Sequence, residues 1–286
     1  MFDRRTKTAQ PLWPSPDVVY EPDTEAFPGC DAPPDEGKAA THGINAVETE
    51  PGKFMLYAVY HGSRESVEIF DLDLTGGNSR VAWRGCVVVP EGVAANGVVA
   101  MPDGGIAVTN FTDPREPLLP QLFTGEPSGS VYTWQRARGW SEVAGSAAFG
   151  PNGVEVSSDG ETLYIAEAMK KRVVSIPVTG GTLTEVATMS FLPDNLRWSE
   201  DGALLTTGME YEPLTAESIQ SCAMEGTGCV PGFTVVSVDP VAKTSDTVFS
   251  TTTDDYRYAT VAAQVGSEIW IGGNAISQIG LITGLP

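Results

Sequence analysis

Five stretches of this sequence share one pattern: a short apolar strand, a tight turn, then a second strand rich in β-branched and aromatic residues. They are THGINAVETEPGKFMLYAVYH from Thr41, AANGVVAMPDGGIAVTNF from Ala94, GPNGVEVSSDGETLYIAE from Gly150, LPDNLRWSEDGALLTTGM from Leu192 and YATVAAQVGSEIWIGG from Tyr258. Three of the turns hold an Asp-Gly pair, at Asp103, Asp159 and Asp201, the composition that a two-residue hairpin turn favours. Between the hairpins lie further strand candidates, SVEIFDLD, SVYTWQR, RVVSIPV and FTVVSVDP, so each hairpin acquires outer partners and becomes a four-stranded unit. No long stretch carries a helical period. A repeated four-stranded unit without helices predicts an all-β propeller, here one domain over residues 1–286.

In a propeller the innermost strand of each blade lines the central channel, so equivalent strand starts form a ring about the axis. Those starts are His42, Asn96, Asn152, Asp194 and Ala259. The second strand runs back and returns its end to the same mouth, which adds His61, Asn110, Glu167 and the region of Met209. Amide and carboxylate oxygens from Asn96, Asn110, Asn152, Asp194 and Asn195 suit a hard cation such as Ca²⁺, whereas zinc would require His or Cys. A lone Asn near a turn ordinarily bonds local backbone, so the shared column and not the residue type singles these out.

The chain has only two histidines, His42 and His61, and both fall in these columns. Imidazole titrates near neutrality, and a second ring fixes the tautomer of the first, so the pair reads as a general base with its orienting partner. No G-x-S-x-G, Walker A, G-x-G-x-x-G or H-E-x-x-H run is present. With no activated serine or cysteine in a readable motif, a metal-assisted hydrolysis is the natural expectation, with Ca²⁺ polarising a carbonyl and His42 deprotonating water, and a lactone or ester as the small-molecule substrate.

Composition narrows the partners. A formal net charge of -20 repels nucleic acid and anionic lipid. No apolar run approaches the length of a membrane span, and MFDRRTKTAQPLW holds no apolar segment of the signal-peptide kind. Of four cysteines, Cys222 and Cys229 flank CAMEGTGC and are a candidate disulfide, while Cys30 and Cys86 show no obvious pairing. Two longer insertions flank the mouth: residues 111–130, with Leu118, Leu119, Leu122 and Phe123 as a candidate apolar lid, and residues 210–231, a second candidate wall.

The segments FGPNGVEVSSDGETLYIAEA, FLPDNLRWSEDG, HGINAVE and VYHGSRESVEIFDLD resemble the paraoxonase/arylesterase family, within the wider gluconolactonase and strictosidine-synthase-like group of six-bladed propellers. The resemblance runs from about residue 42 to the C-terminus. It implies a six-bladed propeller with calcium-dependent lactonase or arylesterase activity. The family's catalytic-calcium ligands match Asn110, Asn152, Asp194 and Asn195, and its histidine dyad matches His42 and His61. A gluconolactonase-like sugar-lactone hydrolase, or a non-catalytic binding propeller with structural calcium, is the alternative. Three departures stand out. Phe111 replaces an Asp tied to a second, structural calcium; GMEY around Glu210 replaces a family histidine; and a metal-binding Glu on the first inner strand has no counterpart. Only five inner-strand starts are visible, so one blade, expected to be the first, is short of its channel-lining strand: either the chain is shortened at its beginning, or Glu21, Asp23 or Glu25 substitutes for that Glu, or the ring closes with fewer strands.

Overall fold

The computed structural model describes residues 2–284 except 4, 5, 14, 16, 39, 77, 78, 255 and 275–277. The first blade runs, from the channel outward, through Thr41–Glu50, Lys53–Tyr60, Ser66–Asp73 and Arg80–Val88, with Val18–Tyr20 added in parallel at the outer edge. Blade two is Ala95–Ala100, Ile106–Asn110, Ser130–Gln135 and Gly139–Glu142; blade three is Pro151–Val156, Thr162–Glu167, Arg172–Pro177 and Thr184–Thr188. Blade four is Leu192–Trp198, Leu204–Met209, Phe233–Asp239 and Thr244–Thr251; blade five has the three strands Ala259–Val265, Glu268–Gly273 and Gly280–Ile282. All pairings inside the blades other than that of Val18–Tyr20 are antiparallel, as the hairpin turns require.

Each inner strand carries a register shift at its first residues: between Thr41 and Ile44, Ala95 and Val98, Pro151 and Val154, Pro193 and Leu196, and Ala259 and Val261. A bulge inserts an extra residue and re-aims side chains at the end of a strand. Its recurrence makes the mouth a structural position common to all five blades. Glycine after the column residue permits tight packing of the inner strands: a Cβ on Gly43 would stand 2.2 Å from the Asn96 carbonyl oxygen, and one on Gly153 2.6 Å from that of Asp194.

The core lies between blades, built by alternation along the strands. In blade one Tyr57, Val59, Val67 and Ile69 pack on Val98, Ile106 and Val108 of blade two. Val154, Leu163 and Ile165 continue the pattern from two to three, Leu196, Leu204 and Val236 from three to four, and Ala262, Ile269 and Ile271 from four to five.

The expected count of six blades is corrected to five among the described residues. Consecutive inner strands abut from blade one round to blade five, but no comparable run of contacts joins Ala259–Val265 to Thr41–Glu50. The faces on either side of that seam are partly covered by the N-terminal segment. On blade five Trp270 points away from the Ile269 and Ile271 face, and Phe2, from the small hairpin Phe2–Asp3 with Thr8–Ala9, lies 5.2 Å from its ring centre. On blade one Trp13 packs edge-on to Tyr60 at 5.8 Å, beside Leu56, Phe70 and Trp83. Cys30 is disulfide-bonded to Cys86, a pairing not evident in the sequence, and the bond ties the segment to blade one. Residues without a strand pattern are thus spent on covering the faces that flank the seam, although Ile44 there stays 51% exposed.

Across the channel, Arg197 of blade four links two other blades. Its Nη1 donates to Glu155 Oε1 of blade three at 3.2 Å, and its Nη2 to the Ile44 carbonyl of blade one. Glu155 is buried, and desolvation pushes its pKa from 4.5 up to about 7 against the pull of Arg197. A carboxyl that binds its proton more tightly when folded stabilises fully below its unfolded pKa, and the contribution is lost as pH rises through the folded value. The loss between pH 5 and pH 8 is on the order of 3 kcal/mol. Glu155→Gln is expected to remove that slope, so urea melts of variant and parent should converge at low pH and part in the variant's favour at pH 8. Parallel stability curves would contradict this account.

Candidate functional site

The first hairpin brings the two histidines together. Thr41 pairs with Tyr60 across it, so His42 starts the inner strand where His61 leaves the second, and the His61 amide donates to the Ala40 carbonyl at 2.8 Å. His42 Nδ1 and His61 Nε2 lie 3.1 Å apart, with the rings inclined at 68°. The other nitrogen of His61, Nδ1, lies 2.7 Å from Glu65 Oε2. The protein around His42 pushes its pKa down to about 4, by desolvation first and by the neighbouring His61 second. His42 is exposed at the mouth, and the downward direction of the shift leaves the ring neutral at pH 7.

Both rings line a cavity of about 700 Å³ whose other walls include Asp194, Asn195, Arg197 and Thr260. A larger hollow of about 1030 Å³, with Glu155, Tyr164 and Trp198 on its walls, includes neither histidine. The chemistry-bearing side chains favour the smaller one. Asp194 Oδ1 accepts from Asn195 Nδ2 at 2.9 Å, and that same nitrogen donates to the Thr260 carbonyl at 3.1 Å. Dense surrounding protein pushes the Asp194 pKa up to about 7, although the residue keeps some surface on the cavity.

The remaining column residues are distributed differently. Asn152 stands beside the Asp194–Asn195 pair through the close contact at Gly153, and its Oδ1 is buried without a hydrogen-bond partner. Its carbonyl oxygen accepts from Thr109 Oγ1. Asn110 is buried and its Oδ1 accepts from the Ala94 amide at 3.0 Å, which closes the end of the blade-two hairpin. Neither Asn110 nor Asn152 lines the histidine cavity. Glu167 is buried and held by Arg172 Nε and the Phe149 amide. Among the described residues no three His, Cys, Asp or Glu side chains converge, so any cation site here depends on amide oxygens.

The N-terminal acids do not supply the carboxylate expected from a first inner strand. Glu21 pairs with Arg80, Asp23 with Arg84 and Glu25 with Arg136, outside the cavity and for the first two at the outer edge of blade one. The two insertions also behave otherwise than a lid over the histidines. Leu119 of the short helix Leu118–Leu122 packs with Met169, Tyr211, Leu214, Ile219 and Tyr258 in one apolar cluster, where Cys222 and Cys229 are disulfide-bonded. That cluster joins the insertions to each other, and none of it lines the cavity. Sequence reasoning missed Glu65 and Arg197. The first carried a readable signal, an acid four residues after a histidine; the second sits mid-strand and carried none.

The family described as SMP-30/Gluconolactonase/LRE-like region matches residues 40–211, more than half of the chain. Among solved structures, a luciferin-regenerating enzyme is similar over 86% of this chain and 78% of its own, at 15% identity and a TM-score of 0.52. A chain of a nidogen/laminin complex is similar over 87% of this chain and 78% of its own, at 9% identity and a TM-score of 0.54. At such identities the likeness is one of fold. No curated protein matches the sequence.

Proposed function

The chain belongs to the SMP-30/gluconolactonase/LRE-like family, and on that premise we propose that it hydrolyses a lactone or aryl ester, with His42 as general base and His61 as its orienting partner. The observation that carries this reading is the His42 to His61 contact of 3.1 Å on the wall of a cavity that also holds Asp194. A base must be unprotonated at working pH, and the downward shift of His42 meets that condition. Water gives a proton to His42 as its oxygen bonds the carbonyl carbon; when the bond to the leaving oxygen breaks, the imidazolium returns that proton to the alkoxide. The finer placement with the paraoxonase/arylesterase-like lactonases rests on HGINAVE, VYHG, PNG and LPDN as they stand around the named residues.

A hard cation fits the neighbouring residues. Asn152 Oδ1 is buried with no hydrogen bond, and Asp194 is a deeply set carboxylate whose raised pKa has burial as its cause. Asn152, Asp194 and Asn195 would hold Ca²⁺, whereas Asn110 would join them only by giving up the hydrogen bond its Oδ1 accepts from the Ala94 amide. When bound, calcium supplies Lewis-acid polarisation of a carbonyl and stabilises negative charge on its oxygen.

Two measurements test the reading. The first is turnover of a panel of alkyl lactones, aryl acetates and sugar lactones by the calcium-loaded protein. Preference for the polyhydroxylated members would favour a gluconolactonase-like hydrolase; absence of any turnover would favour a binding propeller. The second compares melting with calcium and with EDTA for the parent and for Asp194→Asn. Calcium at a hundred times its Kd is expected to stabilise the parent by about 2.7 kcal/mol. Asp194→Asn is expected to lose most of that gain while melting no lower than the parent in EDTA, because it removes a buried charge. An undiminished calcium shift in Asp194→Asn would remove this residue from the cation site.

A further inference from the structure

We propose that Glu65 is a positioning residue that turns the histidine pair into a directed acid, histidine, histidine relay; the inference rests on the reading of His42 as the base. A carboxylate accepts hydrogen bonds, so Glu65 Oε2, 2.7 Å from His61 Nδ1, selects the tautomer of that ring that carries its proton on Nδ1. A neutral imidazole carries a single N–H, which leaves a lone pair on His61 Nε2. That lone pair faces His42 Nδ1 at 3.1 Å, and two facing lone pairs repel, so His42 also carries its proton on Nδ1. His42 Nε2 is then the bare nitrogen. One carboxylate, two rings away, thereby decides which atom of His42 is basic.

The loop between His61 and Glu65 is built to hold this arrangement. The Val89 amide donates to the Glu65 carbonyl at 3.0 Å, and Arg64 turns to Glu68 and to the Ala32 carbonyl, so its charge is directed away from the relay. The other charged groups on the cavity walls are Asp194 and Arg197. The Glu65 side chain is 38% exposed and fills no core position, so the fold does not require it. Without it, nothing specifies Nδ1–H on His61. If that proton moves to Nε2 it donates to His42 Nδ1, and the His42 proton is driven onto Nε2, where no base remains.

Because the chain holds only two histidines, ¹⁵N-histidine labelling gives four ring-nitrogen signals, and the tautomers are read directly. Both rings are expected as Nδ1–H in the parent at pH 8. Glu65→Ala is expected to populate Nε2–H on both and to lower kcat by about tenfold with KM little changed. Glu65→Gln, whose amide oxygen still accepts, is expected to keep the parental tautomers. An Nε2–H tautomer on His61 in the parent, or unchanged spectra and kcat in Glu65→Ala, overturns the proposal. Should the parent hydrolyse nothing, the hydrolase reading fails while the spectra still decide the role of Glu65.

Discussion

His42→Gln is expected to lower kcat for lactone or aryl-ester hydrolysis by about 10²- to 10⁴-fold, the range over which a positioned general base acts. Glutamine is close to imidazole in reach and still bonds His61 or water, but it takes up no proton near neutral pH. The ring it replaces stands at the mouth and contributes no core packing, so the melting temperature is expected to hold within a few degrees. The pH profile separates a base from a spacer. With its pKa held down, toward about 4, His42 charges only in acid, so parental activity should persist well below pH 6 and fall as pH approaches that value. In the variant that acid limb disappears along with the rate. Turnover within threefold of the parent would remove His42 from the chemistry, whatever the cavity contains.

The parts of this arrangement legible in sequence are those fixed by local physics. Asp-Gly turns between alternating strands set the hairpins, and the strand starts at His42, Asn96, Asn152, Asp194 and Ala259 all coincide with inner-strand bulges. Reading the strand starts and ends as one mouth also brought His42 and His61 to the same hairpin, because antiparallel register leaves no freedom in which residues meet. What failed depends on long-range partners. Cys30 and Cys86 are 56 residues apart, and no local pattern pairs them. The blade count rested on a resemblance that begins near residue 42, while residues before it carry no repeat and pack as cover on blades five and one. The insertion at 111–130 has an apolar side that was legible, but its target, the apolar face of the 210–231 insertion, is set by packing between two irregular segments. Arg197 and Glu155 form a charged link inside the channel because the inner strands bring them within 3.2 Å; on paper each is only a polar residue in a strand.

The most damaging single substitution for the fold is expected at Glu68. This carboxylate is 1% exposed in blade one and accepts from four donors: Arg64 Nε and Nη2 at 3.0 Å each, Ser66 Oγ at 2.6 Å and Trp83 Nε1 at 2.8 Å. Glu68→Ala leaves a half-buried guanidinium and a fully buried indole and hydroxyl without their acceptor, a loss on the order of 3–5 kcal/mol. Removing both charges together, as Arg64→Met with Glu68→Met, should cost less than Glu68→Ala alone, since the penalty lies in the unpaired partner and not in the pair's net attraction. A double-mutant cycle in urea reads that coupling directly. The consequence reaches the cavity, because Arg64 stands between His61 and Glu65 and its Nη1 also holds the Ala32 carbonyl at 3.0 Å. Glu68→Ala should therefore lower kcat at temperatures where the protein is still folded, by loosening the loop that carries both relay partners. A Glu68→Ala variant within about 1 kcal/mol of the parent would mean that this network is not what fixes the loop, and the geometry of the relay would need another anchor.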